Sequence, residues 1–139
     1  MKIEIPSIEK QQRALIVDGN RVAIEILKKN EKAPTLSPMS GIVESDYSKK
    51  HLLLEHQGWE APEADLVAAY FRHFQENFVV YNTDEKLAGL LGVSSDRRVR
   101  EFKSGARKVP FGVWRRFLVM TGRAPQHVIE VLGIAPIGH

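Results

Sequence analysis

Residues 83–110 read TDEKLAGLLGVSSDRRVREFKSGARKVP, and this stretch decides the fold that we expect. Thr83 can cap a first helix with apolar residues at helical spacing, and Gly92 can end it. Ser94 or Ser95 can cap a second helix, which begins almost at once. Two short helices joined by a tight turn with one glycine form a helix-turn-helix, whose second helix enters the major groove of DNA.

The residue types inside this stretch agree with that arrangement. Ala88 is small where the two helices would cross closely, and Gly92 tolerates the left-handed conformation of a tight turn. Val99 and Phe102 are apolar and would anchor the second helix on a core. A helical bundle in which these residues serve only packing and capping is the alternative that the pattern leaves open.

Positive charge is concentrated in the same part of the chain. The 139 residues have a formal net charge of +3, yet residues 95–124 contain nine Lys or Arg and two Asp or Glu. Such a segment can bind polyphosphate, because each cation near a phosphate releases condensed counterions. A solvated basic surface is the simpler alternative. The coincidence of charge and motif favours double-stranded DNA as the partner.

Taken together, these features resemble the helix-turn-helix of phage-repressor and Cro-like regulators, the XRE-type family. The matching residues are Thr83, Leu87-Ala88, Leu91-Gly92-Val93-Ser94, Val99, Phe102, Gly105, Arg107-Lys108 and Pro110. The segment between turn and second helix is one residue longer than is usual in that family, and Lys103 stands where the family usually has glutamate. The resemblance implies a sequence-specific transcriptional regulator, commonly a homodimer on a palindromic site, and it implies no catalysis.

Positions in the motif assign roles to side chains. We expect the second helix, about residues 95–104, to make the base contacts, from Ser95, Arg97, Arg98, Arg100 and Glu101. We expect the phosphate contacts from Thr83, Lys86, Lys103, Arg107 and Lys108. Glu101 could accept from a cytosine amine, but an intrahelical pair with Arg97 is equally consistent with its spacing. Arg115, Arg116 and Arg123 either extend the phosphate track or are solvated.

The flanking sequence predicts further short helices. Helices are expected near residues 62–76, from Pro110 onward, and from Pro125 through Leu132. The helical spacing of Phe102, Trp114 and Phe117 places these aromatic side chains in the core. We therefore predict a mainly α fold, a compact bundle of about five short helices that contains the helix-turn-helix.

The first 58 residues have no assignable chemistry. Residues 31–48 contain proline, glycine and serine and predict a linker. Ahead of it, helical spacing favours helices broken at Asp18-Gly19-Asn20, although Asp18-Gly19 also suits a β-hairpin turn. We expect residues 1–58 to be an extension that dimerises or binds a partner, and residues 59–139 to be the DNA-binding domain.

Composition and spacing exclude several classes of protein. The chain has no cysteine, so it has no disulfide scaffold and no thiolate site. The five histidines lack ligand spacing, and we find no nucleophile–base pattern, so we expect no enzyme, metal site, cofactor or small-molecule ligand. Without a long apolar run or a signal-like start, we expect a cytoplasmic protein with no membrane partner. An antitoxin-like or adaptor module whose basic helix binds an acidic partner is the alternative function.

Overall fold

The computed structural model describes residues 5–137, in which all regular structure is helical. The helices are α1 (Ile8–Asn30), α2 (Ala64–Asn77), α3 (Asp84–Leu91), α4 (Asp96–Ser104) and α5 (Phe111–Met120). Short 3₁₀ turns lie at Glu44–Asp46, Lys50–Leu52, Glu55–Gln57 and Val79–Tyr81. The predicted mainly α class is confirmed. The chain divides into two compact units, Leu36–His127 and residues 5–35 with 128–137.

The larger unit, Leu36–His127, is a bundle of α2 to α5, in which α4 packs against both α2 and α3. Its fully buried side chains include Leu66, Phe71, Leu87, Val99, Trp114, Phe117 and Leu118. Phe102 is 2% exposed, so the three aromatic residues that we expected in the core are all there. Burial of each large apolar side chain contributes roughly 1.5–3 kcal/mol before the loss of chain entropy is counted.

The predicted helix ends in the α3–α4 segment are close to those observed. The Thr83 hydroxyl accepts from the Lys86 backbone N–H (3.3 Å), and Gly92 ends α3 at φ 73°. Ser95 occupies the N-cap position of α4, but its side chain makes no capping hydrogen bond. Gly105 ends α4 at φ 87°, and a Cβ there would lie 3.2 Å from the Ala64 Cβ.

Residues 36–58 fold together with the helices that follow them. His51 is 5% exposed, and its Nδ1 accepts a hydrogen bond from the Trp114 indole N–H (3.1 Å). The Trp59 indole N–H donates to the His51 carbonyl (3.1 Å). The unit that contains this core begins at Leu36, whereas the sequence predicted a domain that begins at residue 59.

Two expected features of the smaller unit are wrong. Helix α1 runs unbroken through Asp18-Gly19-Asn20 and forms no hairpin, and Asp18 pairs with Arg21 (3.8 Å) across the predicted break. One interior glycine costs a helix only about 1 kcal/mol, which its flanking residues can offset. Residues 125–137 contain no helix. Their β-branched side chains, with Gly133 and Pro136, disfavour one.

Much of the aliphatic surface of this smaller unit is exposed. The Gln12 side-chain amide donates to the Ala135 carbonyl (2.8 Å), so the C-terminal segment lies along α1. No side chain of α1 is buried. The exposed aliphatic residues are Ile8, Leu15, Val17, Val22, Ile24 and Ile26 on α1 and Val128, Ile129, Val131, Leu132 and Ile137 after it. Within residues 5–137, no helix combines the length and hydropathy of a membrane span.

We expect Gly92→Ala to lower the free energy of unfolding by about 1–2 kcal/mol, because alanine is strained at a left-handed φ. Gly89 lies inside α3, and no atom is within 4 Å of a Cβ built there. Gly89→Ala should therefore stabilise the protein by roughly 0.5–1 kcal/mol. Urea unfolding of the two variants measures both changes in the free energy of unfolding. Equal changes would contradict the left-handed conformation of Gly92.

The burial of His51 predicts a dependence of stability on pH. Burial lowers the pKa of His51, as does the positive charge of Arg123, whereas Glu44 opposes them. Below pH ~6.5, His51 is therefore protonated in the unfolded chain to a greater extent than in the folded chain. The free energy of unfolding should fall as the pH is lowered through this value toward the folded-state pKa. Unfolding curves between pH 8 and 5 should lose this dependence in His51→Asn and keep it in His56→Gln, which alters an exposed histidine.

Candidate nucleic-acid interface

Helix α4 has one face in the core and one face in solvent. Val99 and Phe102 are 0% and 2% exposed. At 3.6 residues per turn, the opposite face carries Arg97, Arg100 and Glu101. The side chain of Arg97 is 82% exposed, and that of Arg100 is 57% exposed. The core contacts therefore turn two arginines of α4 outward.

The carboxylate of Glu101 is shared between two arginines. Arg97 Nε lies 3.6 Å from Oε1, and Arg107 Nε donates to Oε2 (3.3 Å). The Glu101 side chain is only 22% exposed. Its backbone carbonyl also accepts from the N–H groups of Gly105 (3.1 Å) and Arg107 (3.3 Å). The intrahelical pair with Arg97 is thus present, together with a contact to Arg107 that the sequence analysis missed.

Asp96 holds Arg100 in a similar way at the start of α4. The Arg100 guanidinium donates to Oδ2 (2.7 Å), and the Arg97 backbone N–H donates to Oδ1 (2.9 Å). The hydrogen bond from Arg100 lowers the pKa of the Asp96 carboxyl, and the same bond raises the pKa of Arg100. Because Asp96 and Arg100 are four residues apart, this pair could have been recognised from spacing.

Lys103 connects α4 to the first residue of α3. Its Nζ donates to both carboxylate oxygens of Asp84 (2.8 and 2.9 Å), and the Gln75 amide donates to Oδ1 (3.3 Å). The side chains of Lys103 and Asp84 are 29% and 19% exposed. Lys103, which we expected to contact phosphate, therefore forms an ion pair that connects the two helices. Lys103 and Asp84 are 19 residues apart and lie on different helices, so helical spacing could not predict this pair.

The other predicted site residues lie on the same two helices, at their N-caps or in the loop after α4. Ser95, Lys86 and Lys108 are exposed, and Arg98 is partly exposed. Within residues 5–137, Lys86, Arg98 and Lys108 take part in no ion pair. The other predicted cations on α4 and in the loop after it each have a carboxylate partner.

Three further arginines contact the fold itself. Arg115 donates to the Leu52 carbonyl (3.3 Å), and Arg116 donates to the Leu90 carbonyl (2.9 Å). The guanidinium carbon of Arg123 lies 3.8 Å from the centroid of the Tyr70 ring, which is a cation–π contact. Each of these three side chains therefore has a partner within the fold, although Arg116 remains exposed.

Comparison with protein-family models, with curated proteins and with solved structures gave no match. The assignment of a function therefore depends on the geometry and charge of the α3–α4 segment.

We expect Lys103 and Asp84 to be energetically coupled. In a double-mutant cycle of Lys103→Met and Asp84→Asn, urea unfolding should give a coupling of about 1 kcal/mol, because the pair is hydrogen-bonded and mostly shielded from water. The matched cycle on the exposed Asp96 and Arg100 should give a smaller coupling. An additive result for Lys103 and Asp84 would show that the ion pair does not connect the two helices.

Proposed function

We propose that the protein is a sequence-specific, double-stranded DNA-binding transcriptional regulator. In this proposal α3, the turn at Gly92 and α4 act as a helix-turn-helix, with α4 in the major groove. The observation that carries the proposal is the anchoring of α4 by Val99 and Phe102, which directs Arg97 and Arg100 into solvent.

The dimensions of α4 agree with this role. An α-helix with its side chains is about 10–12 Å across, which fits a major groove about 12 Å wide, and the nine residues of α4 extend about 13 Å along its axis. Arg97, Arg98 and Arg100 are the proposed base-reading side chains, because a guanidinium matches guanine O6 and N7. Ser95 and Glu101 lie at the same surface and complete the predicted set.

Phosphate contacts are proposed for residues on either side of α4. Thr83 caps the N-terminus of α3, where the helix dipole is positive and the hydroxyl hydrogen can still donate. Lys86 follows one turn later, and Arg107 and Lys108 lie in the loop after α4. These contacts would orient the protein on the duplex without reading its sequence. Lys103 would support them through Asp84.

We also propose that the protein acts as a homodimer. The expected fifth helix is absent, so α1 and the segment after Val128 carry the proposed interface. Leu15 and Val22 of α1 are 71% and 61% exposed, and exposed apolar side chains on a helix with no buried residue are suited to association with a second copy. A two-fold dimer would place two α4 helices about one DNA turn, ~34 Å, apart.

Selection of bound duplexes from a random pool tests this proposal. We expect enrichment of one sequence, and a palindrome in that sequence would support the two-fold dimer. Arg97→Ala or Arg98→Ala should then cost about 1–3 kcal/mol of binding and relax preference at one base pair. Fluorescence anisotropy with single-base variants of the enriched duplex measures both effects.

Lys108→Ala should weaken binding to all duplexes alike and reduce the slope of log affinity against log salt by about one. Lys49→Ala removes an exposed lysine that lies ahead of α2 and should leave the slope unchanged. Equal affinity of the wild type for every duplex would contradict sequence-specific binding. No binding at low salt would contradict the function altogether.

A further inference from the structure

The carboxylate of Glu101 is shared by two arginines at the surface of α4 and the following loop. Glu101 contacts Arg97 through Oε1 and Arg107 through Oε2, at 3.6 and 3.3 Å. The arginine side chains are 82% and 51% exposed, whereas that of Glu101 is 22% exposed. The anion is thus covered by the two cations, and any duplex that draws them away uncovers it.

We propose that Glu101 is a specificity-determining residue that penalises non-matching DNA through its negative charge. The inference rests on the proposed function and assigns Glu101 a role other than contact with a base. In the free protein the carboxylate partly neutralises Arg97 and Arg107. On a matching duplex, Arg97 keeps its Nε beside this carboxylate while its terminal nitrogens bind the base, and only Arg107 exchanges the carboxylate for a phosphate.

The exchange is favourable only where the duplex supplies acceptors in the right places. A matching site offers guanine acceptors to Arg97 and a phosphate to Arg107. A non-matching site leaves Arg97 without a base acceptor, so a phosphate draws its guanidinium away from Glu101. The carboxylate then loses both cations and faces the DNA phosphates without compensation. Discrimination through a repulsive element of this kind adds to that from attractive contacts.

The geometry allows the arginines to leave without disrupting the fold. Each arginine uses a different carboxylate oxygen, so one contact can break while the other remains. The Arg107 backbone N–H stays bonded to the Glu101 carbonyl (3.3 Å), so the loop remains attached to α4 when the Arg107 side chain moves. Exposed ion pairs of this length are weak and exchange readily.

Glu101→Gln tests the inference, because glutamine keeps the shape of the side chain and removes its charge. The probes are the duplex enriched from the pool and a random-sequence duplex of equal length. We expect Glu101→Gln to bind the random duplex more tightly than the wild type does. The ratio of the two affinities should fall on the order of tenfold.

Two control variants separate charge at this position from other effects. Glu55→Gln removes an exposed carboxylate ahead of α2, changes the net charge equally and should leave the affinity ratio unchanged. Glu101→Asp keeps the negative charge and should keep most of the discrimination. Thermal unfolding of each variant shows whether the fold is intact.

Each other outcome overturns the inference in its own way. Weaker binding of Glu101→Gln to the enriched duplex, with altered preference at one base pair, would mean that Glu101 contacts that base. An affinity ratio no different from that of Glu55→Gln would mean that Glu101 has a structural role only. If the wild type itself binds no duplex, the proposed function fails and the inference fails with it, whereas every other outcome requires that the wild type bind.

Discussion

The burial of the Trp114 indole holds the larger unit together. Trp114 is fully buried and stacks on Tyr70 of α2 and on Phe117 of its own helix, with ring centroids 5.7 and 5.5 Å apart. Its N–H would be costly to bury without an acceptor, and His51 Nδ1 supplies one. One side chain thereby joins α2, α5 and the segment ahead of α2. Helix α4 packs against α2, so the direction of its solvent face depends on this core.

Charge in the α3–α4 region is organised by three carboxylates. Asp84 holds Lys103, Asp96 holds Arg100, and Glu101 holds Arg97 and Arg107. The Asp84 pair is partly buried and connects two helices, whereas the others lie at the surface, where water screens them. A count of basic residues therefore overstates the charge available to a ligand, because several cations are already paired and others bind carbonyl groups.

The smaller unit shows where local sequence signals compete. Asp18-Gly19 suits a hairpin turn, yet the residues around it continue the helix, and ion pairs at helical spacing, Glu9–Arg13, Asp18–Arg21 and Glu25–Lys28, run along its length. Pro125 suits the start of a helix, yet the β-branched residues after it disfavour one, and residues 125–137 form no helix. In both segments the composition of the whole segment outweighs the preference of a single glycine or proline.

Local sequence alone determined the helical class, the ends of α3 and α4 and the inward direction of Val99, Phe102, Trp114 and Phe117, because these follow from capping and from a period of 3.6 residues. It also indicated the pair of Glu101 with Arg97, since the two residues are one helical turn apart. Only the tertiary structure decided that Lys103 binds Asp84, that Arg116 binds the Leu90 carbonyl and that His51 enters the core. These partners are far apart along the chain, and their contact depends on how the helices pack rather than on any local spacing.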